Sequence, residues 1–268
     1  MKRPALLLVA ILAVGSTDNR CAENVPDLRK ASVGQMAKEF SKLGVHKIYV
    51  PDFCDGSSRP NDHGAFFAAV FSDLLTHKAK GFAVASRIDV HRFLLQSNLT
   101  DCDLERPSVL SNVSSQFGVD SVLSASLSGD SNTNRLDFIL KDLSGKELLR
   151  FQHTEPRPAM EGIFPATSAP SGWPFYFPMF DGVKHPNCIA CPSVMDQHFD
   201  GTVQLSGLIT AKGKVEQVRI IKTLRPDLDE LSLKAVNTWL FEPAKAPDGS
   251  SVPVRIVFEI SFHPSFHP

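Results

Sequence analysis

At 268 residues the chain has room for about two domains. Its 43% hydrophobic and 21% charged residues exclude a disordered chain and set it among ordinary globular proteins. A formal net charge of −1 offers no electrostatic basis for nucleic acid or an anionic membrane surface as partner.

The N-terminus reads as an export signal. Lys2 and Arg3 precede an apolar run from Pro4 to Val14, the pattern of a secretory leader. That run falls short of the roughly 20 apolar residues a spanning helix needs. Cleavage after Gly15 or Ser16 follows the small-residue rule, and the leader is allotted to residues 1–22. Cys21 follows Asn19-Arg20, which is not a lipidation sequence. Cleaved export to the periplasm is therefore expected over an uncleaved inner-membrane anchor. Export would put Cys21, Cys54, Cys102, Cys188 and Cys191 in an oxidising compartment, where disulfides persist. Cys188 and Cys191 are local to each other. Cys54 and Cys102 are then the natural second pair, with Cys21 the odd one, although sequence leaves the connectivity open.

In chain order, Val33, Met36, Phe40 and Leu43 form one stripe of a helix from Asp27 to Leu43, stopped by Gly44. Lys47 to Phe53 reads as a strand running into a turn-rich loop. A helix from about Ala65 turns Phe67, Val70, Phe71, Leu74 and Leu75 inward and ends at Gly81. A strand around Phe82 to Ser86 and a short helix from Asp89 to Gln96 come next. Pro107 then opens a helix bearing Leu110, Val113 and Phe117. Asp120 to Gly129 is a strand, and two more strands join at Leu143-Ser144-Gly145 as a hairpin. Helices alternating with strands and closed by a hairpin predict an α/β or α+β domain, a mixed sheet covered by helices, over residues 23–152. The run through KIYVPDF, GFAVASRIDVHRFL and FGVDSVLSASLSG resembles the TolB N-terminal or CsgG-like envelope domain. That resemblance implies a nucleotide-free periplasmic domain used in envelope assembly contacts.

Residues 153–185 are rich in proline and glycine and read as a linker. The patch Trp173-Pro174-Phe175-Tyr176-Phe177 would be a large apolar patch in water, so it is expected to pack on one of the domains. The alternative is a short docking segment.

Residues 186–268 read as a small α+β domain. Val203, Leu205 and Ile209 alternate on a strand, Gly213 makes the turn, and Val218 and Ile220 continue on the partner strand. A helix follows near Pro226, with Asp227 and Glu230 spaced as a capping box and Leu228, Leu231, Ala235 and Trp239 as its apolar face. The last strand alternates Val252, Val254, Ile256, Phe258, Ile260 and Phe262 against a mostly polar second face that carries Pro253, Arg255 and Glu259. That pattern predicts an antiparallel sheet backed by a helix, one face buried and one wet. Gly201-Thr202-Val203, the Gly213 turn, Leu228-Asp229-Glu230, Trp239-Leu240-Phe241-Glu242-Pro243-Ala244 and Gly249 to Val254 together resemble the C-terminal domain of the TonB family. The resemblance implies β-strand addition, in which an extended peptide from an envelope protein or receptor pairs with a sheet edge. Val252, Val254, Arg255, Ile256, Val257 and Phe258 are the expected partner-binding residues, with a link to TonB-type transmembrane transport. Cys191-Pro192-Ser193-Val194-Met195 stands where the family shows a tyrosine-proline. A folded domain also replaces the long proline-rich spacer of an energy transducer.

No enzyme signature, phosphate loop or small-molecule site stands out, and no cofactor or metal is expected. Asp52, Asp55 and Asp62 lack the ordering of a calcium loop and read as solvated turn residues. His46, His63, His77 and His91 read as surface histidines without a nucleophile beside them. Cys188-Ile189-Ala190-Cys191 is expected to be a structural disulfide at the start of the C-terminal domain. The alternative is a periplasmic redox protein, or a zinc protein with His185 and His198 as further ligands.

Overall fold

The computed structural model describes residues 32–54, 61–129, 133–156, 173–192, 194 and 199–262. The leader, Cys21, Asp55, His198 and the stretch 157–172 lie outside the described residues. Two compact units divide at Tyr176/Phe177. The fold class is α+β, as the alternating patterns imply.

The N-terminal unit runs α1 (Ser32–Lys42), β1 (Lys47–Tyr49), α2 (Asp62–Lys78), β2 (Ala83–Val84), α3 (Arg87–Leu95), a 3-10 helix (Asp101–Glu105), α4 (Pro107–Phe117), β3 (Ser121–Gly129), β4 (Thr133–Asp142) and β5 (Glu147–Pro156). Its sheet has the order β2-β1-β3-β4-β5, parallel across β2, β1 and β3 and antiparallel beyond. Central parallel strands are covered on both faces, and Ile48, Tyr49 and Val50 are accordingly buried one after another. Helix α2 is buried nearly all round through its first three turns, so it reads as a core helix rather than an amphipathic one. Asn61 caps it by accepting from the Gly64 N–H at 2.7 Å. A Cβ at Gly64 would lie 1.8 Å from the Phe53 carbonyl oxygen, so the helix start can reach the chain after β1 only as glycine. Phe53, Phe71 and Phe138 then pack in tilted and edge-on contacts through the core.

β5 extends to Pro156, inside the stretch expected to be linker. The aromatic patch is packed, not free. Trp173 lies against the cluster of Tyr49, Val90, Leu94 and Val113, and Phe175 and Tyr176 are buried.

The C-terminal unit holds β6 (Asn187–Ala190), β7 (Gly201–Ile209), β8 (Val215–Lys222), α5 (Pro226–Val236), β9 (Leu240–Glu242) and β10 (Val254–Phe262). A three-stranded antiparallel sheet has the order β10-β7-β8, and β6 pairs with β9 in a separate ribbon. Gly213 turns β7 into β8 at φ +78, and a Cβ there would meet the Phe241 carbonyl oxygen at 1.8 Å. The approach is sealed by the Phe241 N–H donating to the Gly213 carbonyl at 2.9 Å.

Two helix expectations are corrected. The N-cap of α5 is Arg225, so Asp227 and Glu230 do not form a capping box. Asp227 instead pairs with Arg225, and Glu230 with Lys234. Asp229 accepts from the Leu224 N–H at 2.9 Å, ahead of the helix start. The buried face is Leu228, Ser232 and Val236, whereas Leu231 is 41% exposed. Of the expected face, Leu228 and Trp239 are buried, while Ser232 and Val236 take the inward positions in place of Leu231.

Candidate functional site: sheet edges, disulfides and a buried polar cluster

β10 is an edge strand. It pairs with β7 over nine consecutive residues, from Val254↔Ile209 to Phe262↔Gly201, with no register shift. Among the described residues nothing pairs with its outer side. The opposite edge, β8, differs. Its pairing with β7 slips twice, Gln217 sits at φ 54, and Glu216 and Lys222 are exposed. Bulges and charges of this kind keep an edge from templating another strand. β10 has no such guard in its backbone.

Five of the six sequence-predicted partner residues, Val254 to Phe258, lie on this edge strand, while Val252 precedes it and its N–H donates to the Ala244 carbonyl at 3.0 Å; all six side chains are buried. Val252, Val254, Arg255, Ile256, Val257 and Phe258 are each 0–6% exposed. Phe258 packs edge-on against Trp239, with centroids 5.7 Å apart. The expected wet face is therefore covered at Arg255 and Val257. Arg255 lies across the sheet and donates from Nη2 to Gln217 Oε1 at 2.9 Å, which the alternation of residue types could not show. Any strand added here would meet the backbone edge of β10 rather than side-chain pockets.

Both expected disulfides are present. Cys54–Cys102 links the chain after β1 to the 3-10 helix across 48 residues, and Cys188–Cys191 spans three. The second lies on β6, where Cys188 is opposite Phe241 and Ala190 opposite Leu240, with a bulge at Ile189. With both sulfurs in a disulfide, the pair offers no thiolate for zinc. The only group with metal-ligand spacing among the described residues lies elsewhere.

That group is Asp52, His91 and Asp101, all buried in the N-terminal unit, with ligating atoms within 4.8 Å of one another. The surface assignments for Asp52, Asp62, His63 and His91 are corrected: all four are buried. Asp101 accepts from the Tyr49 hydroxyl at 2.7 Å, the Asp52 N–H at 2.6 Å and His91 Nε2 at 2.9 Å. Asp52 accepts from Arg87 and, at 2.8 Å, from the Trp173 indole N–H. Every carboxylate oxygen thus has a protein donor, and Arg87 stands at Asp52 where a cation would have to enter. With His91 protonated, two anions face two cations and the cluster is neutral.

Electrostatics follow from that balance. Burial alone would pull the His91 imidazolium down, but Asp101 and Asp52 outweigh it and its pKa ends above the ordinary histidine value. Burial would raise Asp101, yet His91 and three hydrogen bonds hold it below the usual carboxylate range. Burial and the adjacent Asp101 charge push the Tyr49 phenol well up. The His91 ring stacks on Tyr176 with centroids 5.6 Å apart and meets Trp173 at 5.1 Å. This arrangement is a clasp that fastens the 173–176 segment. The sequence flagged the aromatic patch as packed, but Asp52, Arg87, His91 and Asp101 are ordinary surface residue types, and local pattern carried no signal for them.

Residues 193–264 match the family model described as Gram-negative bacterial TonB protein C-terminal. The match lies within the C-terminal unit, where the sequence resemblance to that family was placed. A search of curated proteins finds no match. Among solved structures, the LpoB C-terminal domain from Salmonella enterica is similar at 15% identity, covering 46% of this chain and 93% of that one, with a TM-score of 0.35. The LpoB C-terminal domain from Escherichia coli shows 18% identity over 47% and 98%, with a TM-score of 0.33. Lipoprotein GNA1162 from Neisseria meningitidis shows 20% identity over 48% and 86%, with a TM-score of 0.32. At these TM-scores the likenesses carry no argument. No described helix is long and apolar enough to cross a membrane.

Proposed function

We propose that the protein is a non-catalytic component of the cell envelope, exported to the periplasm. Its TonB-type domain binds an extended segment of a partner protein by strand addition. The observation that carries this reading is the nine-residue, bulge-free register of β10, whose outer side has no partner strand among the described residues. An edge of that kind holds a peptide through alternate outward N–H and C=O groups. The bulged and charged β8 edge is the poorer template. The two-domain division expected from the sequence, 23–152, 153–185 and 186–268, belongs to this reading, with β5 carrying the first unit to Pro156 and the units dividing at Tyr176/Phe177. So does an assembly role for the N-terminal unit, in keeping with its TolB or CsgG-like sequence pattern. A membrane complex of TonB-type transport is the partner class that fits.

The full chain tests it in intact cells, with a photo-crosslinking amino acid at Glu259 or Ser261 on β10 and, as control, at Glu216 on β8. Cross-links to an envelope protein from β10 and not from β8 are expected. Cross-links from β8 alone, or from neither strand, would overturn the assignment.

A further inference from the structure

We propose that Cys188–Cys191 is a thiol–disulfide exchange site for a dithiol oxidoreductase, not a brace of the fold. The inference does not rest on strand addition. Three observations carry it.

First, the strand that bears the bond buries nothing: Asn187, Cys188, Ile189 and Ala190 are all exposed, and Cys191 is half-buried. A brace is useful where it holds packing, and no packing from this strand depends on it. Second, the bond closes a loop of only three residues, against 48 for Cys54–Cys102, whose Cys102 is 8% exposed. Chain-entropy stabilisation grows with loop length, so the local bond constrains the unfolded chain least. Third, the bulge puts Ile189 between the two cysteines at 65% exposure, with Leu240 across the ribbon at 40%. An extended, uncovered strand with an apolar crest is a peptide that an oxidoreductase can lie against. Access is the structural condition that exchange requires.

Cys188 is the more exposed of the two and is the sulfur attacked. The partner's thiolate bonds to Cys188 Sγ, the Cys188–Cys191 bond breaks, and Cys191 leaves as a thiolate that takes a proton from water. The partner's second thiolate then attacks the partner sulfur of the mixed disulfide, and Cys188 leaves and is protonated. This chain gains two electrons and two protons, and the partner's dithiol becomes a disulfide. The reverse sequence reoxidises the pair.

The test uses the full chain carrying Cys21→Ser, so that no other thiol is free. Graded dithiothreitol with alkylation and peptide mapping should open Cys188–Cys191 at a concentration about tenfold or more below that for Cys54–Cys102, with far-UV circular dichroism unchanged. Opening of both bonds in one transition, together with loss of the dichroism signal, would overturn the proposal. A thioredoxin-type trap, reduced and with its resolving cysteine replaced by serine, should form a mixed disulfide mapped to Cys188. No adduct, or an adduct at any other cysteine, counts against it.

Discussion

His91 is the residue on which most of the N-terminal polar cluster turns. It is fully buried, donates to Asp101, and stacks on Tyr176. Its folded pKa is raised, so it binds a proton more tightly in the native state. The stability it contributes is complete below its unfolded value, about 6.5, and is lost as pH rises through the folded value. Asp101 has the opposite sign: its pKa is depressed, and its contribution is lost as pH falls below the unfolded value, about 3.9. Thermal melts of the full chain should therefore decline on the alkaline side above about pH 6.5. His91→Gln should remove that decline and cost about 3–5 kcal/mol at pH 6, because Asp101 would remain buried without its cation. A His91→Gln variant with the wild-type alkaline slope would show that the titration belongs to another group.

At the scale of elements, α5 shows how a pattern can be right in type and only partly right in face: Leu228 and Trp239 are buried as expected, and Leu231 is not. The apolar residues of Pro226–Val236 support a helix whichever stripe is chosen, and the helix is there. The inward face is Leu228, Ser232 and Val236, with the buried Asp229 accepting from the Leu224 N–H ahead of the helix. Leu228→Ala should cost about 2–5 kcal/mol as a core truncation. Leu231→Ala should stay within about 0.5 kcal/mol. Urea unfolding of the two variants decides the point, and equal losses would restore the sequence-derived face. β10 shows a similar split. Alternation identified the strand and its Phe258 face, but not the burial of Arg255, which needed Gln217 of β8 in a left-handed backbone conformation.

For the molecule as a whole, the two disulfides have different weights. Cys54 follows Asp52 by two residues and Cys102 follows Asp101 directly, so the 48-residue bond ties together the two chain segments that build the buried cluster. Loop-closure entropy assigns it about 4 kcal/mol and the three-residue bond about 2 kcal/mol. Removing Cys54 and Cys102 together as serines should lower the stability of the full chain by about 2–5 kcal/mol in denaturant unfolding. Removing Cys188 and Cys191 should cost about half as much or less. The reverse order would return the CxxC pair to a structural role.

The sequence by itself left the disulfide connectivity open, but it determined most of the helices and strands, the TonB-like pattern of residues 193–264 and the expectation that the aromatic patch packs. Each of these is written in short-range periodicity, turn glycines or near-continuous motif residues such as Trp239 to Ala244. Only the tertiary structure decided which helix face is inward, which sheet edge is smooth, and that Asp52, His91 and Asp101 meet. Those outcomes depend on contacts between residues up to 121 positions apart, as between Asp52 and Trp173. Buried polar residues have no period of their own. Their burial is set by the partners that neutralise them, and chain folding brings those partners together.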